Sequence, residues 1–149
     1  MMGLEGRLKA RREAPLHLQV ELVPFSAQPL ALDREVSIGG HVVEIFRGQG
    51  LAKPGDHLSF ELWVCHSQDG PTGPPFVHYK HLIEATHLEA YLYGSPPSCH
   101  LAAHEFRLLR ERSTTPTMGV EELEVLLSTT EVANGVRVPA SRWWKFWRR

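Results

Sequence analysis

The chain has 149 residues, of which 42% are hydrophobic and 22% charged, with a net charge of −1. That length buries a core without disulfide or metal staples, and the composition excludes a wholly disordered chain. Residues 1–14 carry four basic and two acidic side chains, 137–149 carry five basic and none acidic, and the body between them carries −8. A nucleic-acid domain builds its basic face into the fold, so this acidic body is not expected to bind nucleic acid.

Residues 1–14 read as a polar, basic N-terminal arm, mobile or helical. Leu16, Leu18, Val20 and Leu22 alternate with His17, Gln19 and Glu21, the period of a half-buried strand, and Pro24 and Pro29 close it. The clearest element is a β-hairpin over 36–65. Gly39-Gly40 invites a bulge or bend in its first arm. Pro54-Gly55 suits a type II turn, and Leu58, Phe60, Leu62 and Val64 alternate cleanly against Ser59, Glu61 and Trp63 in the return strand.

Gly70-Pro71-Thr72-Gly73-Pro74-Pro75 is a loop by composition. Residues 76–79 look extended, 80–85 are ambiguous, and 86–93 read as a strand ending at Gly94-Ser95-Pro96-Pro97. Residues 100–109 have passable helical spacing but alternate well enough to return as a strand, with His104 and Phe106 on one side and Glu105 and Arg107 on the other. Acidic residues ahead of Leu123 and Leu127 favour a short helix over 121–127. Asn134-Gly135 instead signals a hairpin joining 129–132 to 136–138, and the two readings compete. The organisation expected is a basic arm over 1–14, a β-barrel domain over 15–138 and an aromatic-basic tail over 139–149. The fold class is mainly β, a small barrel or sandwich of about six to eight antiparallel strands with one short helix.

Nine histidines are the compositional oddity, eight of them between His41 and His104. Protonating all nine moves the net charge from −1 to +8, so solubility or stability should change between about pH 5 and 7. Cys65 and Cys99 fit a reduced cytoplasmic protein or one optional disulfide tying two hairpins. The N-terminus shows no apolar leader, and no run approaches the roughly 18 apolar residues of a spanning helix.

The run Val42-Val43-Glu44-Ile45-Phe46-Arg47-Gly48, followed by Pro54-Gly55-Asp56 and an alternating strand, resembles the central hairpin of OB-like and netrin-like β-barrels in bacterial proteins of unknown function. The run Leu88-Glu89-Ala90-Tyr91-Leu92-Tyr93-Gly94, with Pro97 and Cys99 after it, is similar to a segment in the same families. Together these stretches cover under half of the chain. The resemblance implies architecture only, since it brings no active site with it.

Two constellations carry chemistry. Cys99, His100 and His104, with Cys65, His66 or His87 in reserve, offer the thiolate and imidazole ligands that zinc prefers. His100 and His104 share a face whether the segment is helix or strand. The sequence has neither His-Glu-x-x-His nor Cys-x-x-Cys, and histidines that are merely exposed or packed are the plainer alternative. No Gly-x-Ser-x-Gly elbow marks a hydrolase; a Cys65 or Cys99 nucleophile beside a histidine is a weaker reading than a buried thiol.

The second constellation is the C-terminus. On a helix from Ser141, Trp143, Phe146 and Trp147 share one face, and Arg142, Lys145 and Arg149 another, with Trp144 and Arg148 completing the segment. Such a segment suits a protein partner or an acidic membrane surface; alternatively, its tryptophans close the barrel core. The leading expectation is a non-catalytic binding or interaction module using Trp143, Trp144, Phe146, Trp147 and Arg148. The alternative is a metal-binding protein or metal-dependent enzyme using His100, His104 and Cys99.

Overall fold

The alternation over 57–65 fixes the two faces of the sheet. In the computed structural model, which describes residues 3–24, 34–65 and 76–133, strand β3 (His57–Cys65) buries Leu58, Phe60, Leu62 and Val64 and exposes the residues between them. With β1 (Leu16–Leu22), β2 (Arg34–Arg47), β4 (Phe76–His78), β5 (His87–Ser95) and β6 (Ser98–Leu109) it forms one sheet, ordered β4-β3-β2-β1-β5-β6. Helices α1 (Leu4–Glu13), α2 (Tyr79–Glu84) and α3 (Val120–Ala133) complete the described elements.

The protein is therefore mainly β, but three helices rather than one short one accompany the sheet. The strands are not all antiparallel either. β4 runs parallel to β3, an arrangement that a tight hairpin turn cannot connect.

The sheet curls into a half-barrel, bringing β3 and β6 near one another. Its interior holds Leu16, Leu18 and Val20 of β1 against Phe60, Leu62, Leu88 and Phe106, with Leu82 of α2 packed into the same cluster. β2 makes the curl possible by serving two partners. Its residues 34–41 pair with β3 and its residues 40–47 with β1. Gly40 sits at the handover, where a Cβ would lie 2.6 Å from the Glu21 carbonyl oxygen. No bulge interrupts the pairing with β3 at Gly39-Gly40; glycine is there for close approach. The register breaks occur instead against β1, at Val43 and Phe46.

The Pro54-Gly55 turn forms as its sequence demands. Gly55 has φ +93°, and Asp56 N–H donates to the Lys53 carbonyl at 3.1 Å. Residues 120–133 form a helix, so the stretch 129–132 is no hairpin arm, and Asn134-Gly135 lies outside the described residues. No disulfide joins Cys65 and Cys99. Among the described residues no helix is long and apolar enough to cross a membrane.

Two expectations fail on the outer face of the sheet. β1 is not half-buried, because residues 16–20 are buried on both faces. Nor does β6 alternate strictly: Ala90 pairs with Phe106 and Leu92 with Leu101, so four residues of β6 stand opposite Tyr91 alone. Within that wide bulge Ala103 and His104 have φ of 52° and 55°, in the left-handed region that side chains disfavour. The bulge turns Glu105 into the protein, where it is as buried as its neighbour Phe106. What covers this outer face explains both departures.

Candidate functional site on the polar face of the sheet

The polar residues of β1 define the site because their cross-strand partners are polar too. His17 pairs with Arg47 of β2 and Tyr91 of β5. Gln19 pairs with Glu44 and Glu89, and Glu21 with His41 and His87. Directly opposed side chains lie on one face of a sheet. Three parallel rows of polar groups therefore cross β2, β1 and β5, and His57 of β3, opposite His41, extends the third row.

The first row lies beneath α1. His17 stacks on Tyr91 with ring centroids 3.9 Å apart, and the guanidinium carbons of Arg11 and Arg47 lie 5.9 and 5.8 Å from the Tyr91 centroid. Arg47 donates to the carbonyls of Arg11 and Ala14, closing the C-terminus of α1, whose last carbonyls have no helical partner. Arg11, with 1% of its side chain exposed, donates through Nε to Glu105 at 2.7 Å, and Arg7 binds the other Glu105 oxygen at 2.9 Å. The bulge in β6 is what carries Glu105 to these two arginines. The expected basic arm is thus a docked helix; its cations pair with Glu105, Glu122 and Glu124 of the acidic body.

The second row lies beneath the connection between β6 and α3. Gln19 exchanges two hydrogen bonds with the backbone of Ser113. Glu89 accepts from His17 Nε2 at 2.7 Å, from the Thr117 hydroxyl and N–H, and from the Met118 N–H. Burial pushes the Glu89 carboxyl up, but these hydrogen bonds outweigh it and hold the group below the ordinary glutamate value. Tyr91 donates to the Met118 carbonyl at 2.6 Å, and burial raises its phenol against the pull of both arginines. Arg107 grips Glu122 with one nitrogen and the Thr117 carbonyl with the other. Burial would raise Glu122 as well, yet Arg107 and Arg11 hold it low.

In the third row Glu21 is exposed, His41 half-buried and His87 buried. The Nε2 of His41 and Oε2 of Glu21 stand 3.6 Å apart, with their side chains 42% and 53% exposed; that gap is too long for a hydrogen bond. His57 is exposed, and its ring centroid is 6.4 Å from that of His41. His87 lies at the margin of the covered region. Burial lowers its pKa, Glu21 opposes the shift, and Arg112 and His41 add to it. Arg112 itself is held by Glu44 and the Val43 carbonyl.

The sequence-derived candidates fall elsewhere. His100 is exposed against Tyr93, with centroids 5.8 Å apart, and His104 is exposed within the bulge. The bulge breaks the alternation on which their shared face rested. Cys99 is half-buried, and burial, reinforced by Asp56, raises its thiol, which disfavours the thiolate that a ligand or nucleophile needs. Among the described residues no group of three or more histidine, cysteine, aspartate or glutamate side chains is placed to hold a metal ion. Trp143, Trp144, Phe146, Trp147 and Arg148 lie outside the described residues.

Compared with family models, curated proteins and solved structures, the chain has no match. Sequence reasoning missed Arg11, Glu105, His17 and Glu89, which read as ordinary surface polars. The only available signal was that β1 and β5 place polar residues at matching alternate positions.

Proposed function

We propose that the protein is a non-catalytic binding module on an OB-like half-barrel, acting in the cytoplasm. One observation supports this reading. The ionisable groups nearest the centre of the fold are occupied with one another and with the backbone: Glu89 accepts four hydrogen bonds, and Glu105 is shared by Arg7 and Arg11. Groups so engaged hold layers together and present neither a nucleophile nor a base to a substrate.

Contact then falls to the surface. α1 and α3 border a groove of about 380 Å³ lined by Glu5, Leu8, Lys9, Arg12, Glu13 and Leu127. The chain leaves α3 at Ala133 and continues into Trp143, Trp144, Phe146, Trp147 and Arg148. That segment is the contact element, with a protein partner or an acidic membrane surface as its target. Removing residues 141–149 should abolish sedimentation with phosphatidylserine vesicles, or cross-linking to the partner, with the circular dichroism spectrum and melting temperature unchanged. Unfolding of the shortened chain would mean that the tryptophans belong to the core, and retained binding would place contact elsewhere; either overturns the reading.

A further inference from the structure

We propose that the outer face of β3 around Trp63 is a docking surface for a basic chain segment of a partner protein, with an arginine or lysine head group lying on the indole between the carboxylates of Glu35 and Glu61. This face contains none of residues 141–149 and is opposite to them in charge, so the inference stands independently of that segment.

The alternation that buries Leu58, Phe60, Leu62 and Val64 inside the half-barrel turns His57, Ser59, Glu61 and Trp63 outward, and all four are exposed. β1 differs, since its residues 16–20 are buried on both faces. The register sets Trp63 between Glu35 of β2 and Phe76 of β4. Directly opposed residues have Cβ atoms about 4.5–5.5 Å apart. Glu61, two positions back along β3, shares the face at about 7 Å along the strand. Phe76 meets the indole edge-to-face, with ring centroids 6.5 Å apart and planes at 83°, and Trp63 still keeps 38% of its surface exposed. The ring is braced by its neighbour without being covered by it.

Charge decides the occupant. Glu35 and Glu61 are exposed and, among the described residues, enter no ion pair, whereas Glu44, Glu84 and Glu124 each hold an arginine. Tryptophan is the best aromatic partner for a cation, which it attracts within about 6 Å of the ring centroid. A guanidinium or ammonium group on Trp63 can donate to a flanking carboxylate at the same time, a charge-assisted bond that a neutral ligand cannot match. The same carboxylates repel phosphate, which excludes nucleic acid and anionic lipid from this face. The outside of a curled sheet is convex and does not enclose a small cation. A chain segment laid across it adds contacts on either side of the head group.

The test uses hexa-arginine as the probe and the full chain carrying Trp143→Phe, Trp144→Phe and Trp147→Phe, in which Trp63 is the only tryptophan. Titration is expected to give a saturable change in Trp63 emission that weakens with added salt. Glu35→Gln/Glu61→Gln in that background should weaken affinity by about fivefold. Trp63→Leu in the otherwise unchanged full chain, followed by calorimetry, should weaken it by about as much. The double variant Glu111→Gln/Glu121→Gln removes the same charge from two other exposed positions and should bind as the parent does. Circular dichroism confirms that each variant folds. The proposal is overturned if no saturable change occurs, or if the Glu111/Glu121 variant loses as much affinity as the Glu35/Glu61 variant. It is also overturned if light scattering shows a dimer of the parent that Glu35→Gln/Glu61→Gln dissolves, because a second copy would then be the occupant.

Discussion

The covered rows and the third row on β2, β1 and β5 are built from similar polar side chains, yet have different fates. Arg47–His17–Tyr91 and Glu44–Gln19–Glu89 lie under α1 and the 113–119 segment, where buried members are hydrogen-bonded several times over. His41–Glu21–His87 lies one step further along the same strands; His87 is buried there, Glu21 is exposed, and Glu21 and His41 stand 3.6 Å apart without a hydrogen bond. The difference teaches that strand pairing sets which polar groups are neighbours, whereas the overlying layer decides whether they become structure or stay available. A buried carboxylate must be satisfied completely because desolvation penalises every missing bond, and an exposed one has water instead.

The comparison is broken most directly at Glu105. Glu105→Ala leaves Arg11 buried without its main counter-charge and is expected to lower unfolding free energy by about 3–5 kcal/mol, measured by urea denaturation. Replacing both members, as Arg11→Met with Glu105→Leu, should recover most of that loss, because two apolar side chains need no partner. A double variant as unstable as the single one would show that the arginine's further bonds to Gly119 and Glu122 matter more than the pair.

Acid sharpens the same contrast. Glu89 and Glu122 both have folded values below the ordinary one. Their contribution is therefore complete above the unfolded value of about 4.3 and is lost as pH falls through the lower folded value. Glu89→Gln should be less stable than the parent at pH 7, and the gap should close as urea melts are repeated down to pH 3. A gap that stays constant would remove Glu89 as the acid-sensitive group. His87 acts at higher pH with the same sign. Its folded value is also lowered, so its contribution is full above about pH 6.5 and declines as pH falls.

Smaller effects follow. Tyr91→Phe keeps the stacking on His17 but loses the bond to the Met118 carbonyl, and should cost about 1 kcal/mol in the same denaturation assay. Glu21→Gln in the third row, where the side chain is exposed, should change stability by under about 0.5 kcal/mol. A loss there comparable with that of Tyr91→Phe would show that the third row is structural after all.

Much of the fold was legible in the sequence because its cause is local. Alternation over 57–65, the Pro54-Gly55 turn and the strand over 86–93 follow from side-chain period and backbone preference, and each stands where it was expected. The helix over 121–127 also formed, and extended over 129–132, which the Asn134-Gly135 signal had offered as a hairpin arm. Local signals misled where distant contact overrode them. Gly39-Gly40 read as a bulge because the sequence does not reveal that the Glu21 carbonyl passes 2.6 Å from where a Gly40 side chain would begin. The even alternation of 100–109 concealed a bulge, since only the arginines of α1, nearly a hundred residues away, give Glu105 a reason to turn inward.

By itself, then, the sequence determined that this is a mainly-β chain with a central hairpin turned at Pro54-Gly55, because hydrophobic period and turn chemistry act over a few residues. The tertiary structure alone decided which polar residues meet. Glu21 lies 20 residues from His41 and 66 from His87, and nothing in that spacing distinguishes them from His100 and His104. Strand order and register bring the three into one row, next to the rows that α1 and the 113–119 segment cover.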